Sequence, residues 1–261
     1  MNRKNVLLTL LEVNEGLVRL LGDELSRMGV DVRAHFWESG TDALGQVITE
    51  LSRDDCDLWL IVGEARHCND AVTRRELSLA AIGAQAAHGA GFPVLLSPSG
   101  GTMTPFTGPL GTNAPLTGAI AAKTVAQLHK PHRVAPAQYR LRVHCPPGLG
   151  LWLEVGPPET QNTPWHGAFM ACTGTDAVGA AVIPLAHGVG LANRIPERST
   201  LAFPVQGMKI EHGALYEGWG VANELSSDRS YFVKMSALPA GLLFGPFPQD
   251  DAPEVFVLDL E

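Results

Sequence analysis

Between residues 1 and 130, short apolar runs alternate with segments whose apolar residues recur every three or four positions. That alternation constrains the fold more than any other feature of the chain. Val6–Leu10 is a buried-strand candidate. Leu17, Leu20, Leu21, Leu25 and Met28 then share one side of a helix over Glu15–Met28, which Gly29 ends. Val30–Trp37 is the next strand. Thr41 or Asp42 can cap a helix through Leu51, striped by Leu44, Val47, Ile48 and Leu51. Asp57–Val62 is a third strand. Asp70 or Thr73 opens a long helix through Ala87, and Phe92–Leu96 is a fourth strand. Strands alternating with helices need parallel pairing with helices on both faces, so residues 1–130 are expected to form a doubly wound, flavodoxin-like α/β domain.

The period then changes. Residues 97–118 carry Ser97-Pro98-Ser99-Gly100-Gly101, Pro105, Pro109, Gly111 and Pro115, and are expected to form a long loop that borders the ligand site and is mobile or partner-covered when empty. Gly118–Leu128 has room for one more helix, and His129-Lys130-Pro131-His132 is a linker candidate. From Tyr139 onward the apolar segments are short, alternating and punctuated by Pro or Gly: 139–144, 149–155, 167–172, 177–184, 200–203, 214–222, 230–235 and 254–260. Residues 139–261 are therefore expected to form an antiparallel β-sandwich or barrel, with a hairpin over 207–220. Such a domain suits sensing, or homo- or hetero-oligomeric assembly.

Composition narrows the partners. Lys and Arg number 19 against 27 Asp and Glu, a formal charge of −8. No basic run exceeds two residues, which argues against nucleic acid as a partner. No stretch reaches about 18 apolar residues, so no membrane-spanning helix is expected. Cys56, Cys68, Cys145 and Cys172 form no CxxC pair and read as free thiols, which points to the cytoplasm. His144, His166, His187 and His212 are too dispersed for a metal-ligand spacing.

In parallel α/β sheets the site lies beyond the carboxyl ends of the strands. Those ends carry Thr9–Asn14, Trp37–Asp42, Gly63–Asp70 and Ser97–Gly101. The third holds Glu64, Arg66, His67 and Asp70, followed one helical turn on by Arg74, Arg75 and Glu76. Of these, Glu64, His67, Asp70 and Glu76 offer acid–base chemistry. Bland roles stay open for each: Asp70 as helix cap, Glu76 as complement to the helix dipole, His67 as a loop residue.

Val6-Leu7-Leu8-Thr9, Leu17–Val32, Trp37–Leu44, Asp57–Val62, Val72–Leu77 and Gly91–Val94 together resemble Toll/interleukin-1 receptor (TIR) domains and nucleoside deoxyribosyltransferase-like folds. The resemblance covers about a third of the chain. It implies a nucleotide- or NAD-processing hydrolase acting on an N-glycosidic bond, with Glu76 as the catalytic carboxylate that stabilises an oxocarbenium-like state. Thr9, Trp37 and Arg66 are the pocket residues it implies.

Residues 14–30 and 63–73 also resemble the molybdopterin-binding domain of cofactor-biosynthesis proteins. Asp70-Ala71-Val72-Thr73 and Ser97–Gly101 carry that resemblance. It implies a phosphate-containing cofactor held without turnover, with Asp70 nearby and Ser99, Gly100 and Gly101 offering backbone amides to the phosphate.

Overall fold

The computed structural model describes residues 3–111, 115–130, 136–160, 163–247 and 254–261. The chain divides into two compact units, Met1–Ala135 and Pro136–Glu261. The expected linker falls partly on residues 131 and 132, outside the described residues, as do residues 112–114 of the expected loop.

Unit 1 runs β1 (Lys4–Leu10), α1 (Glu15–Arg27), β2 (Val30–Phe36), α2 (Thr41–Leu51), β3 (Leu58–Glu64), α3 (Ala65–Cys68), α4 (Ala71–His88), β4 (Val94–Ser99) and α5 (Ile120–Leu128), with a 3₁₀ turn at Gly108–Leu110. The four strands form one parallel sheet in the order β2-β1-β3-β4. Alternation along the strands sorts the core. Val6, Leu8 and Leu10 join Leu58, Leu60 and Val62 in one cluster with Leu21 and Leu25 of α1 and Ala121 and Leu128 of α5. Leu7, Thr9, Trp59 and Ile61 point the other way and are equally buried. On that side α2 and α4 touch so closely that a Cβ on Gly83 would lie 2.8 Å from Ile48 Cγ2.

Several boundaries differ from expectation for local reasons. Asn14 caps α1, its side chain accepting from the Leu17 amide. Neither Thr41 nor Asp42 caps α2; Gly40 stands there with no side-chain cap. Asp70, not Thr73, caps α4. Ser97, Pro98 and Ser99 belong to β4 rather than to the loop. A proline is tolerated there because β4 is an edge strand.

Unit 2 contains two antiparallel sheets and not a closed barrel. One has the order β13-β12-β7-β10-β9, the other β5-β6-β11-β8. Their strands are β5 (Arg140–His144), β6 (Trp152–Gly156), β7 (Trp165–Thr173), β8 (Pro184–Leu191), β9 (Val205–His212), β10 (Ala214–Leu225), β11 (Arg229–Met235), β12 (Gly241–Pro246) and β13 (Phe256–Asp259). The two sheets meet where the His187 ring of β8 packs edge-on against Trp219 of β10, 4.9 Å between centroids. Residues 177–184 are not a strand but mainly a turn, in which the Asp176 carboxylate accepts from the amides of Val178 and Ala180. Residues 200–203 also lie outside every strand.

A buried carboxylate fastens the smaller sheet. Glu154 of β6 has no exposed surface. It accepts from the Ser230 hydroxyl at 2.6 Å and from the Asn193 amide at 3.0 Å, and pairs with His144 Nε2 at 2.7 Å. Arg140 and Arg142 lie at 3.5 and 3.4 Å. Burial alone raises the Glu154 carboxyl, but the His144, Ser230 and Asn193 hydrogen bonds overcome it and hold the group below its usual value. Arg140, itself buried, also donates to the Ser227 and Arg229 carbonyls.

Breaking one side of such an assembly strands the other charges. Glu154→Ala is expected to cost about 3–5 kcal/mol. The stability this carboxylate supplies is complete above its unfolded value of about 4.3 and is lost as pH falls through the lower folded value. Hydrogen exchange at the β5, β6 and β11 amides, followed across that window, measures both effects; protection equal in variant and wild type would count against them.

Candidate functional site

Two polar groupings lie at the carboxyl edge of the unit 1 sheet. The first is buried. Thr9 near the end of β1 pairs in register with His35 of β2. The Thr9 hydroxyl accepts from the Trp59 indole at 2.8 Å and lies 2.6 Å from His35 Nε2. After accepting from the indole the hydroxyl keeps a second lone pair and its own proton, so either neutral tautomer of the His35 ring completes the pair. Burial pushes the His35 pKa below its ordinary value, consistent with a neutral ring, despite opposing help from the Phe36 backbone, Glu50 and Glu38.

Glu76 sits in the second turn of α4 and is 1% exposed. Its Oε2 accepts from the Trp37 indole at 3.1 Å and its Oε1 from the Gly40 amide at 2.7 Å. The carboxylate thus holds the β2–α2 loop at the residue that precedes α2. Trp37 and Glu76, both expected at the site, are brought together; Trp37 is bonded to the carboxylate on which the expected chemistry depends.

The second grouping is open to solvent. Glu12 follows β1, and Glu64, Arg66 and His67 follow the body of β3. Arg66 Nε lies 2.8 Å from Glu64 Oε2, and its Nη2 lies 3.9 Å from Glu12. His67 Nδ1 is 3.7 Å from Glu12 Oε2, beyond hydrogen-bond reach, and is buried without a hydrogen-bond partner. The Arg66 side chain is 69% exposed, Glu64 38% and Glu12 29%. Ser99 pairs in register with Glu64. Gly100 and Gly101 follow with φ of +64° and +141°, a turn that favours glycine. A Cβ on Gly100 would come within 3.8 Å of Glu64 Cγ, so the glycine turn flanks this grouping.

Asp70 is committed elsewhere. Its Oδ2 accepts from both the amide and the hydroxyl of Thr73, at 2.9 and 3.0 Å, as the cap of α4.

Side chains of α4 and of Asn69 bond the loop after β4 at several points. Arg74 is buried, donates to the carbonyls of Thr104 at 3.0 Å and Pro105 at 2.8 Å, and lies 4.1 Å over the Phe106 ring. Asn69 bonds Thr102 and Thr104 from the other side, and Gln85 donates to the Pro109 carbonyl. Sequence reasoning missed Arg74, His35, Trp59 and Glu12 as site-shaping residues. One signal for Arg74 was present: a cation in the first turn of a helix opposes the macrodipole and needs another reason to be there.

All four cysteines are free and buried, and burial pushes the Cys68 thiol up to about 11 and Cys172 up to about 12. Such thiols are poor nucleophiles at neutral pH. Among the described residues no group of three His, Cys, Asp or Glu side chains is placed to hold a metal ion, and no helix is long and apolar enough to cross a membrane. No family model matches the chain, and no curated protein matches its sequence.

Two expectations follow. Glu76→Gln replaces one acceptor with a donor that must face either the Trp37 indole or the Gly40 amide. Thermal unfolding is expected to show a loss of about 1–3 kcal/mol. Arg74→Met removes the hydrogen bonds to the Cys68, Thr104 and Pro105 carbonyls while keeping bulk, and should speed hydrogen exchange over residues 102–107 relative to the β1 and β3 amides. Unchanged exchange there would mean that the loop is held by something other than this guanidinium.

Proposed function

We propose that unit 1 binds a phosphate-containing small molecule of the nucleotide or molybdopterin type and holds it without turnover. The observation that supports the reading is the open grouping of Glu12, Glu64 and Arg66 beside the Ser99–Gly101 turn. In the order β2-β1-β3-β4 the chain leaves β1 toward one edge and returns at β3 on the other side. Loops after β1 and β3 part at such a reversal, and ligands of open α/β sheets bind there, as in flavodoxin-like arrangements. A carboxylate only accepts hydrogen bonds and so asks for hydroxyls, as on a ribose. The exposed guanidinium asks for phosphate, and the glycine turn admits close approach. Two carboxylates against one arginine favour a ligand with few phosphates.

Cleavage of an N-glycosidic bond is the second reading. The burial of Glu76 against the Trp37 indole favours it, because a carboxylate shielded from water stabilises developing positive charge strongly. Holding without turnover is preferred because both Glu76 oxygens already accept from Trp37 and Gly40. The two antiparallel sheets of unit 2 fit a sandwich that serves sensing or assembly, and the four buried free thiols fit a reducing compartment such as the cytoplasm.

Calorimetry with AMP, ADP-ribose, NAD and inorganic phosphate tests the reading. A nucleotide is expected to bind more tightly than phosphate alone, and Arg66→Ala to weaken it roughly 10- to 100-fold through loss of a charge-assisted hydrogen bond. A wild-type chain that binds no such compound would overturn the proposal. Chromatography of the same NAD mixture separates the two readings: nicotinamide released by wild type but not by Glu76→Gln would establish turnover.

A further inference from the structure

The free edges of unit 2 are not treated alike. On β8, Ser199 seals the outer edge, its hydroxyl accepting from the Val189 amide at 2.6 Å and donating to the Val189 carbonyl at 3.0 Å. Pro196 lies against the same stretch, so close that a Cβ on Gly188 would be 2.8 Å from its Cγ. This edge is guarded against pairing with another chain. The outer edge of β9 has no such cover: β9 pairs only with β10, and no described residue hydrogen-bonds to its other side over 208–212. Met208 and Ile210 on this strand pack with Phe169, Ala171, Tyr216 and Leu243 and stay partly exposed. Lys209 and Glu211 alternate with them and are exposed.

We propose that β9 pairs antiparallel with β9 of a second copy of this chain, joining the two five-stranded sheets into one across a two-fold axis at Ile210. Charge selects the partner and the register. With Ile210 opposite Ile210, Lys209 faces Glu211 of the second copy, and symmetry repeats the pair. Met208 then faces His212. Shifting the axis to residue 209 sets lysine against lysine, and shifting it to residue 211 sets glutamate against glutamate; like charges directly opposite are destabilising. Lysine on an open edge commonly repels other strands, but in this register it completes an ion pair instead. Lys209 already faces Glu217 across β10, so it would lie between two carboxylates. An isologous contact of this kind closes at two copies and cannot grow into a fibre through the same edge.

Sedimentation velocity of the full chain over the micromolar range tests this. The wild type is expected to pass from monomer to dimer with concentration. Lys209→Glu and Glu211→Lys each place like charges opposite twice and should weaken the dimer several-fold to roughly tenfold. An equimolar mixture of the two variants should recover the dimer, because the acidic strand of one then faces the basic strand of the other. The double variant K209E/E211K should also recover it. These recoveries separate the pairing from any loss of folding. A wild type that remains monomeric throughout, or a dimer that neither single variant weakens, would overturn the proposal.

Discussion

Helix α4 is buried along most of its length, from Thr73 to Ala84, and the organisation of the unit 1 edge depends on that burial. A buried charged side chain has to be satisfied inside the protein. Glu76 is satisfied by reaching up to the Trp37 indole and the Gly40 amide, and Arg74 by reaching down to the carbonyls of residues 104 and 105. Each requirement fixes a loop. The carboxylate sets the segment between β2 and α2, and the guanidinium sets the segment after β4. The two segments that frame the edge are therefore positioned by one helix, whose own entry is held by Asp70.

The same logic separates the open grouping from the buried one. Glu12, Glu64 and Arg66 remain partly in water, where their ion pairs contribute little to stability. Side chains that contribute little to the fold are free to exchange one partner for another. Glu76 and Arg74 are not, because removing a ligand of theirs leaves a charge uncompensated. This is why the exposed carboxylates, rather than the buried one, suit the role of meeting a ligand that comes and goes.

Unit 1 was largely legible in the sequence because its signals are local. The Asp70 cap, the run Leu58–Val62 and the spacing of Leu17, Leu21 and Leu25 each depend on residues within a few positions, although Leu20 and Met28, expected on the same side of α1, are exposed. What could not be read were partners across the sheet. Glu76 meets a tryptophan 39 positions away, and Thr9 meets a tryptophan 50 positions away. Periodicity carries no record of such pairs. It placed Glu76 on α4 without showing that its oxygens were already taken.

Unit 2 was read less well, and glycine is the reason. Strands β8 and β12 contain Gly188, Gly190, Gly241 and Gly245, which dilute strand propensity and look like punctuation. In the fold they are sites of close approach. A Cβ on Gly245 would fall 2.3 Å from the Glu254 carbonyl oxygen, and one on Gly218 2.5 Å from Ala171 Cβ. Glycine there is demanded by what crosses the sheet, which only the assembled unit defines. The buried polar residues follow the same pattern: Arg140, Glu154 and Ser230 lie on three different strands and look like ordinary outward-facing polar residues in sequence. Their burial gives those strands a register requirement that apolar contacts alone would not impose. A one-residue slip of β6 would turn Glu154 away from Ser230 and leave Arg140 buried without its carboxylate. The register of the smaller sheet is thus tied to its buried charges.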